Sequence, residues 1–161
     1  MARRSPSGIQ WLLTTLCILF GRITAWMPLP MARITGRSLG RLGYYLVPRV
    51  RNVALSNLDL VYGDRLARRD KRRIARGAAE NVGIVAAEFS RIQAITPEFV
   101  AKHVTMRGFD HLDSSQGGLI ISAHFGNWEW LAPIVQCSYQ NTAEIVRPMN
   151  DPRLAHFVDT T

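Results

Sequence analysis

Hydrophobic positions fall into blocks of different kinds along the chain. The first block, Gly8 to Gly21, is almost wholly apolar and contains Ile9, Trp11, Leu12, Leu13, Leu16, Ile18, Leu19 and Phe20. Arg22 interrupts it, and residues 23–32 are again uncharged, with Trp26, Met27 and the Pro28-Leu29-Pro30 kink. A spanning helix needs roughly 20 apolar residues. Ser5 to Gly21 supplies 17 uncharged ones, with Gln10, Thr14 and Thr15 among them. The block reads as an uncleaved membrane anchor that either spans or sits in one leaflet. Trp11 and Trp26 suit the interface and Arg22 can snorkel. A signal peptide fits poorly, because no small-x-small site follows Phe20 until past a charge and two prolines.

Beyond the anchor the pattern becomes helical. Gly36 to Pro48 predicts a short helix ending before the proline. Arg51 to Leu60 follows, and Val61-Tyr62-Gly63-Asp64 reads as a turn. Arg68 to Ile92 is the clearest amphipathic helix: Ile74, Ala78, Val82, Val85, Ala86 and Phe89 repeat at three-and-four spacing, so they are the expected core face. Thr96 is a good N-cap and Pro97 a good first helical residue.

The period then shortens. His103 to Arg107 predicts a short strand and Gly108 a turn, with a helical or turn piece at 109–112. Gly117-Gly118 precedes Leu119-Ile120-Ile121-Ser122-Ala123, an apolar run of buried-strand type that leads into His124. Glu129 to Gln136 predicts a helix with irregular first turns at Pro133, and Thr142 to Val146 the next strand. Strand, helix, strand at this spacing predicts a parallel sheet with a right-handed crossover. The expected class is α/β: an N-terminal anchor helix and helical region, then the start of a mixed or parallel sheet flanked by helices. The expected domains are 1–35, the membrane anchor, and 36–161, the body of the chain.

Charge sharpens this picture. The 161 residues carry a net charge of +8, and no Asp or Glu precedes Asp59. Of the 20 basic residues, 15 lie in two groups, Arg3 to Arg51 and Arg65 to Arg76. Such clusters suit nucleic acid or anionic lipid. The apolar, Trp-bearing N-terminus favours lipid, and no aromatic-interleaved basic patch or nucleic-acid motif is present. The larger basic excess after the anchor favours a body on the cytoplasmic side. Cys17 and Cys137 read as small buried hydrophobes. Without C-x-x-C or His-rich spacing there is no zinc site.

The candidate chemistry lies in His124-Phe125-Gly126-Asn127-Trp128-Glu129. A histidine at the carboxyl end of a buried strand stands where α/β folds place ligands. It can take a proton from a substrate hydroxyl if a carboxylate fixes its tautomer and stabilises the imidazolium. Glu129 lies five residues on, about 140° round an ideal helix, so the pairing requires a bend, which Gly126 can supply. Phe125 and Trp128 can wall the site from water. Backbone N–H groups at the start of the next helix can hold an oxyanion or phosphate.

Ile120 to Glu129 resembles the signature block of the bacterial lipid A biosynthesis acyltransferases, the lauroyl/myristoyl transferases of the lysophospholipid acyltransferase superfamily. Arg51-Asn52-Val53-Ala54-Leu55-Ser56-Asn57-Leu58 resembles that family's Arg and Asn-Leu stretch. Asn81, Gly83 and Glu88 fall on its following helix, Val104 to Leu112 resembles its lead-in, and Arg147-Pro148-Met149-Asn150-Asp151-Pro152 resembles its Arg-Pro and Asn-Pro segment. The resemblance implies transfer of a fatty acyl chain from an acyl carrier protein thioester to a hydroxyl on a lipid A precursor, at the cytoplasmic face of the inner membrane. It implies His124 as general base, Glu129 as its orienting partner and no bound cofactor or metal. Asn127 and Trp128 match the motif as residues that shape the substrate site. Arg147 and Arg153 are candidates to meet the acidic carrier or the phosphorylated glycolipid. Related readings are acylation of another glycolipid, such as a phosphatidylinositol mannoside, and a non-catalytic membrane-associated domain of the same fold. Family members extend to roughly twice this length, so the resemblance implies an N-terminal half with little activity alone and an exposed sheet edge. Acyl-chain length and the choice of acceptor hydroxyl are not encoded in the motif.

Overall fold

A computed structural model of the chain describes residues 8–108, 118–139, 142–143, 145 and 151–159. Its regular elements are helices: α1 Gly8–Trp26, α2 Leu29–Leu46, α3 Pro48–Tyr62, α4 Arg68–Phe89, α5 Pro97–His103, α6 Leu131–Ser138 and α7 Pro152–Asp159, with 3₁₀ turns at Gly63–Arg65, Ile92–Ala94 and Trp128–Trp130. Two compact units form. One is Phe20–Ser90, and the other is Met1–Leu19 with Arg91–Thr161.

The proline and glycine positions explain the breaks. Pro30 lies in the first turn of α2 and Pro48 in that of α3, where a missing N–H costs nothing. The helix expected at 36–48 therefore starts earlier, at Leu29, and still stops before Pro48. α3 ends at Gly63, whose φ of +48° is a left-handed conformation that favours glycine. The helix expected from Arg68 is α4. Thr96 caps α5 as expected, its hydroxyl accepting from Phe99 N–H at 3.2 Å.

The α/β class is corrected. Among the described residues there is no strand. Residues 104–107 and 118–123 lie outside regular structure, as do 142, 143 and 145 of the third expected strand. The physical reason is pairing. An apolar run becomes a strand only when a neighbour takes its N–H and C=O groups, and no ladder forms here. Leu119 and Ile121 are over 90% exposed. The expected parallel sheet and its exposed edge fall with the strands. The turn at Gly108 does form, at φ +76°, while residues 109–112 lie outside those described.

In the unit Phe20–Ser90, α2 and α4 are the principal pair. Their contact is only partly the one expected. Val85 is buried and Phe89 half-buried, as expected, but Ile74, Ala78, Val82 and Ala86 are exposed, and Ala75, Gly83 and Ala87 are buried in their place. The opposing residues on α2 are Ala32, Gly36 and Gly40. A Cβ placed on Gly36 would strike the Gly83 carbonyl, one on Gly83 the Gly36 carbonyl, and one on Gly40 the Ala79 carbonyl. Small residues thus let two backbones touch, and that close approach prevails over burial of the larger side chains. Polar links frame the seam. Arg33 Nε donates to Glu88 Oε1, and Arg41 Nε to Glu80 Oε1 at 2.7 Å. The Thr24 and Ser90 hydroxyls meet at 3.0 Å. Lys71, buried, ties α4 to α3 by donating to Asp59 Oδ1 and the Gly63 carbonyl, each at 2.6 Å.

In the other unit, α5 packs on α6, and Ile95, Val100 and Val135 are buried. Cys137 Sγ lies 3.6 Å from the Ile95 carbonyl. Cys137 is half-buried, whereas Cys17 is exposed rather than buried as expected.

Candidate active site

The run from Gly118 to Ala123 reaches His124 as exposed chain outside regular structure. There the backbone turns sharply: Phe125 N–H donates to the Ala123 carbonyl at 2.7 Å, a γ-turn centred on His124. Two residues later Gly126 has φ +61°, in the left-handed region. A side chain there would be strained, so the bend between His124 and Glu129 sits on the residue that tolerates it. The chain re-enters helix at Trp128–Trp130 and continues as α6. The expected irregular start takes the form of this 3₁₀ turn, while Pro133 falls in the first turn of α6, where a missing N–H leaves no intrahelical bond unmade.

His124 is exposed and Glu129 is half-buried. Among the described residues no hydrogen bond joins them. His124 instead lies against Trp128, with ring centroids 4.7 Å apart and planes at 41°. Trp128 thus borders the imidazole on one side. Phe125 does not wall the site as expected, being 89% exposed. Asn127, half-buried, stands at the N-cap of the 3₁₀ turn. Trp130 packs edge-on against Phe99 of α5 at 5.7 Å, and Phe99 lies 4.8 Å from the His103 ring. This aromatic chain fixes the helix that carries Glu129 onto α5. Arg147 lies outside the described residues.

Sequence reading missed a polar clamp on α1. Asp151 Oδ2 accepts from the Thr14 hydroxyl at 2.7 Å and from Arg153 at 3.1 Å. Arg153 also donates to the Thr15 hydroxyl and the Trp11 carbonyl, and its guanidinium stands 5.0 Å over the Trp11 ring. Hydrogen bonding from Arg153, then from Thr14, holds the Asp151 carboxyl down at about 2. The only signal in the sequence was Asp-Pro-x at a helix start. Nothing in it could join position 151 to position 14.

The model of the bacterial lipid A biosynthesis acyltransferases matches residues 4–161. No curated protein and no solved structure matches the chain.

Proposed function

The chain belongs to the bacterial lipid A biosynthesis acyltransferase family, and from that premise we propose that it takes a fatty acyl chain from an acyl carrier protein thioester to a hydroxyl of a lipid A precursor, with an acyl group of the lauroyl/myristoyl class. Acyltransferase activity in lipid A synthesis is what the family implies in general. The observation that carries it is a histidine on a tight turn and a carboxylate five residues on, separated by a left-handed glycine, within a match that covers nearly the whole chain.

In this reading His124 takes the proton of the acceptor hydroxyl, and the oxygen attacks the thioester carbonyl. Collapse of the tetrahedral intermediate forms the new ester and breaks the thioester, and the imidazolium returns its proton to the leaving thiolate. Glu129 orients the ring and stabilises its charge. With His124 resting on Trp128, the pairing with Glu129 is completed when substrate displaces the ring. Catalytic hydrogen bonds of this kind commonly tighten only in the substrate complex. Asn127 and Trp128 shape the pocket, and Arg147 meets the phosphorylated glycolipid or the acidic carrier.

The reading places the protein at the cytoplasmic face of the inner membrane, with residues 1–35 as its anchor. α1 is a helix of 19 residues, long and apolar enough to cross a bilayer by length and composition. With the Asp151 clamp closed on Thr14, the stretch from Thr15 to Trp26 reaches only about 18 Å at the helical rise. That is short of the roughly 30 Å hydrocarbon core, so the clamped helix suits a single leaflet. The test of function is acyl transfer from a purified acyl carrier protein thioester to a lipid A precursor. Wild-type protein transfers the chain and His124→Ala does not. An undiminished rate in His124→Ala removes the proposed base.

A further inference from the structure

Three helices of Phe20–Ser90 bury mainly small residues. A helix on a water-soluble domain turns its large apolar side chains inward. Here Gly36 and Gly40 of α2 meet α4, Ala32 and Tyr44 are buried, and Met31, Ile34, Leu42 and Tyr45 are exposed. α4 buries Ala75, Gly83, Val85 and Ala87 and exposes Ile74 and Val82. In the last turns of α1, Gly21 and Thr24 are buried while Ile23 and Trp26 face outward. Small residues thus dominate the inside, and most large apolar residues, Tyr44 and Val85 excepted, lie outside. Helices associate this way in lipid, where burying apolar side chains against each other gains little and backbone approach gains more.

α2 is nevertheless too charged to span. Arg33, Arg37 and Arg41 form a row at four-residue spacing along one flank of its exposed apolar face. Arg33 and Arg41 engage Glu88 and Glu80, while Arg37 makes no ion pair among the described residues. An exposed apolar face edged by arginines is the form of a helix lying in the plane of a membrane interface.

Charge selects the kind of surface. Phe20–Ser90 holds 13 basic and 5 acidic residues, whereas the rest of the chain holds 7 of each. The entire net charge of +8 therefore resides in the unit that exposes these apolar faces. A basic unit with an apolar face complements anionic lipid headgroups over an acyl layer.

We propose that the exposed face of α2 centred on Ile34 and Leu42, with Arg37 at its edge, lies in the headgroup layer of an anionic bilayer and is the lipid-contact surface of Phe20–Ser90. The proposal shares with the preceding reading only the presence of a membrane. It does not depend on acyl transfer or on α1 as an anchor.

The experiment uses the full chain with Cys17 and Cys137 replaced by serine and a single spin label at position 34, 42 or 73, bound to phosphatidylglycerol-rich vesicles. Labels at 34 and 42 become accessible to oxygen and are shielded from a water-soluble nickel chelate. A label at 73, on an exposed arginine of α4, remains open to the chelate. Arg37→Glu, which changes the unit's charge by two, weakens binding to these vesicles roughly thirtyfold and changes binding to phosphatidylcholine vesicles little. The proposal is overturned if 34 and 42 stay as open to the chelate as they are without vesicles, because contact would then run through α1 alone. It is equally overturned if the chain retains RNA or an acidic protein but not the vesicles. Loss of acyl transfer in His124→Ala with the labels at 34 and 42 still lipid-shielded, or the converse, separates this proposal from the catalytic reading.

Discussion

His124 stands on a γ-turn with its ring against Trp128, and the left-handed Gly126 bends the chain between it and Glu129. The proposed reaction asks two different things of this pair. In it His124 moves a proton, whereas Glu129 only holds and charge-stabilises the ring. Glu129→Gln keeps the shape and one acceptor oxygen but removes the charge. It is expected to lower kcat about 100-fold or more while leaving KM for the acyl donor nearly unchanged, as steady-state transfer assays can measure. A change confined to KM would assign Glu129 to binding. Asp151 carries a second prediction. Its carboxyl lies at about 2 because Arg153 and Thr14 bond to the ionised form. A depressed carboxyl stabilises the fold above its ordinary value near 3.8, and that contribution is lost as pH falls through about 2. The clamp on Thr14 therefore persists through the physiological range. In Asp151→Asn, amide exchange in the first turns of α1 is expected to quicken severalfold at neutral pH. Unchanged exchange would show that the clamp does not hold the helix.

At the scale of the element, α2 and α4 depend on glycines that no larger residue can replace. Gly83→Ala puts a methyl against the Gly36 carbonyl and is expected to cost about 1–3 kcal/mol. Gly77, on the same helix, has nothing within reach of an added Cβ. Gly77→Ala is expected to raise stability by about 0.5–1 kcal/mol. Denaturation followed by circular dichroism reads both, and equal effects would contradict the close helix approach. The same pair shows what was legible beforehand. Three-and-four spacing located α4 nearly to the residue, but it marked Ile74 and Val82 as core. Periodicity reports that a helix has an apolar side and is silent on what that side meets. The opposing row of Ala75, Ala79, Gly83 and Ala87 is equally periodic, and only its partner on α2 reveals why Ala75, Gly83 and Ala87 are buried. Thr96 and Pro97 were readable because a cap is a local matter. The run 119–123 was misjudged as a strand because pairing is not local.

For the whole molecule, the +8 charge lies within one helical unit, and the residues of the candidate site lie in the neutral remainder. The basic clusters and the His124 to Glu129 block are contiguous in the sequence and so legible there, whereas the Asp151 clamp on α1 joins positions 137 residues apart and has no local signature. The two proposals assign different work to the two parts of this layout: bilayer contact to the basic, apolar-faced unit, and chemistry to the His124–Glu129 segment. The central claim is that the chemistry is acyl transfer by His124. Mass spectrometry of lipid A from cells that depend on this protein tests it most directly. With the wild-type gene, lipid A carries the acyl chain that the enzyme adds. With His124→Ala, expressed at the same level in the membrane fraction, the account predicts lipid A lighter by one acyl chain. Fully acylated lipid A in that strain would contradict it.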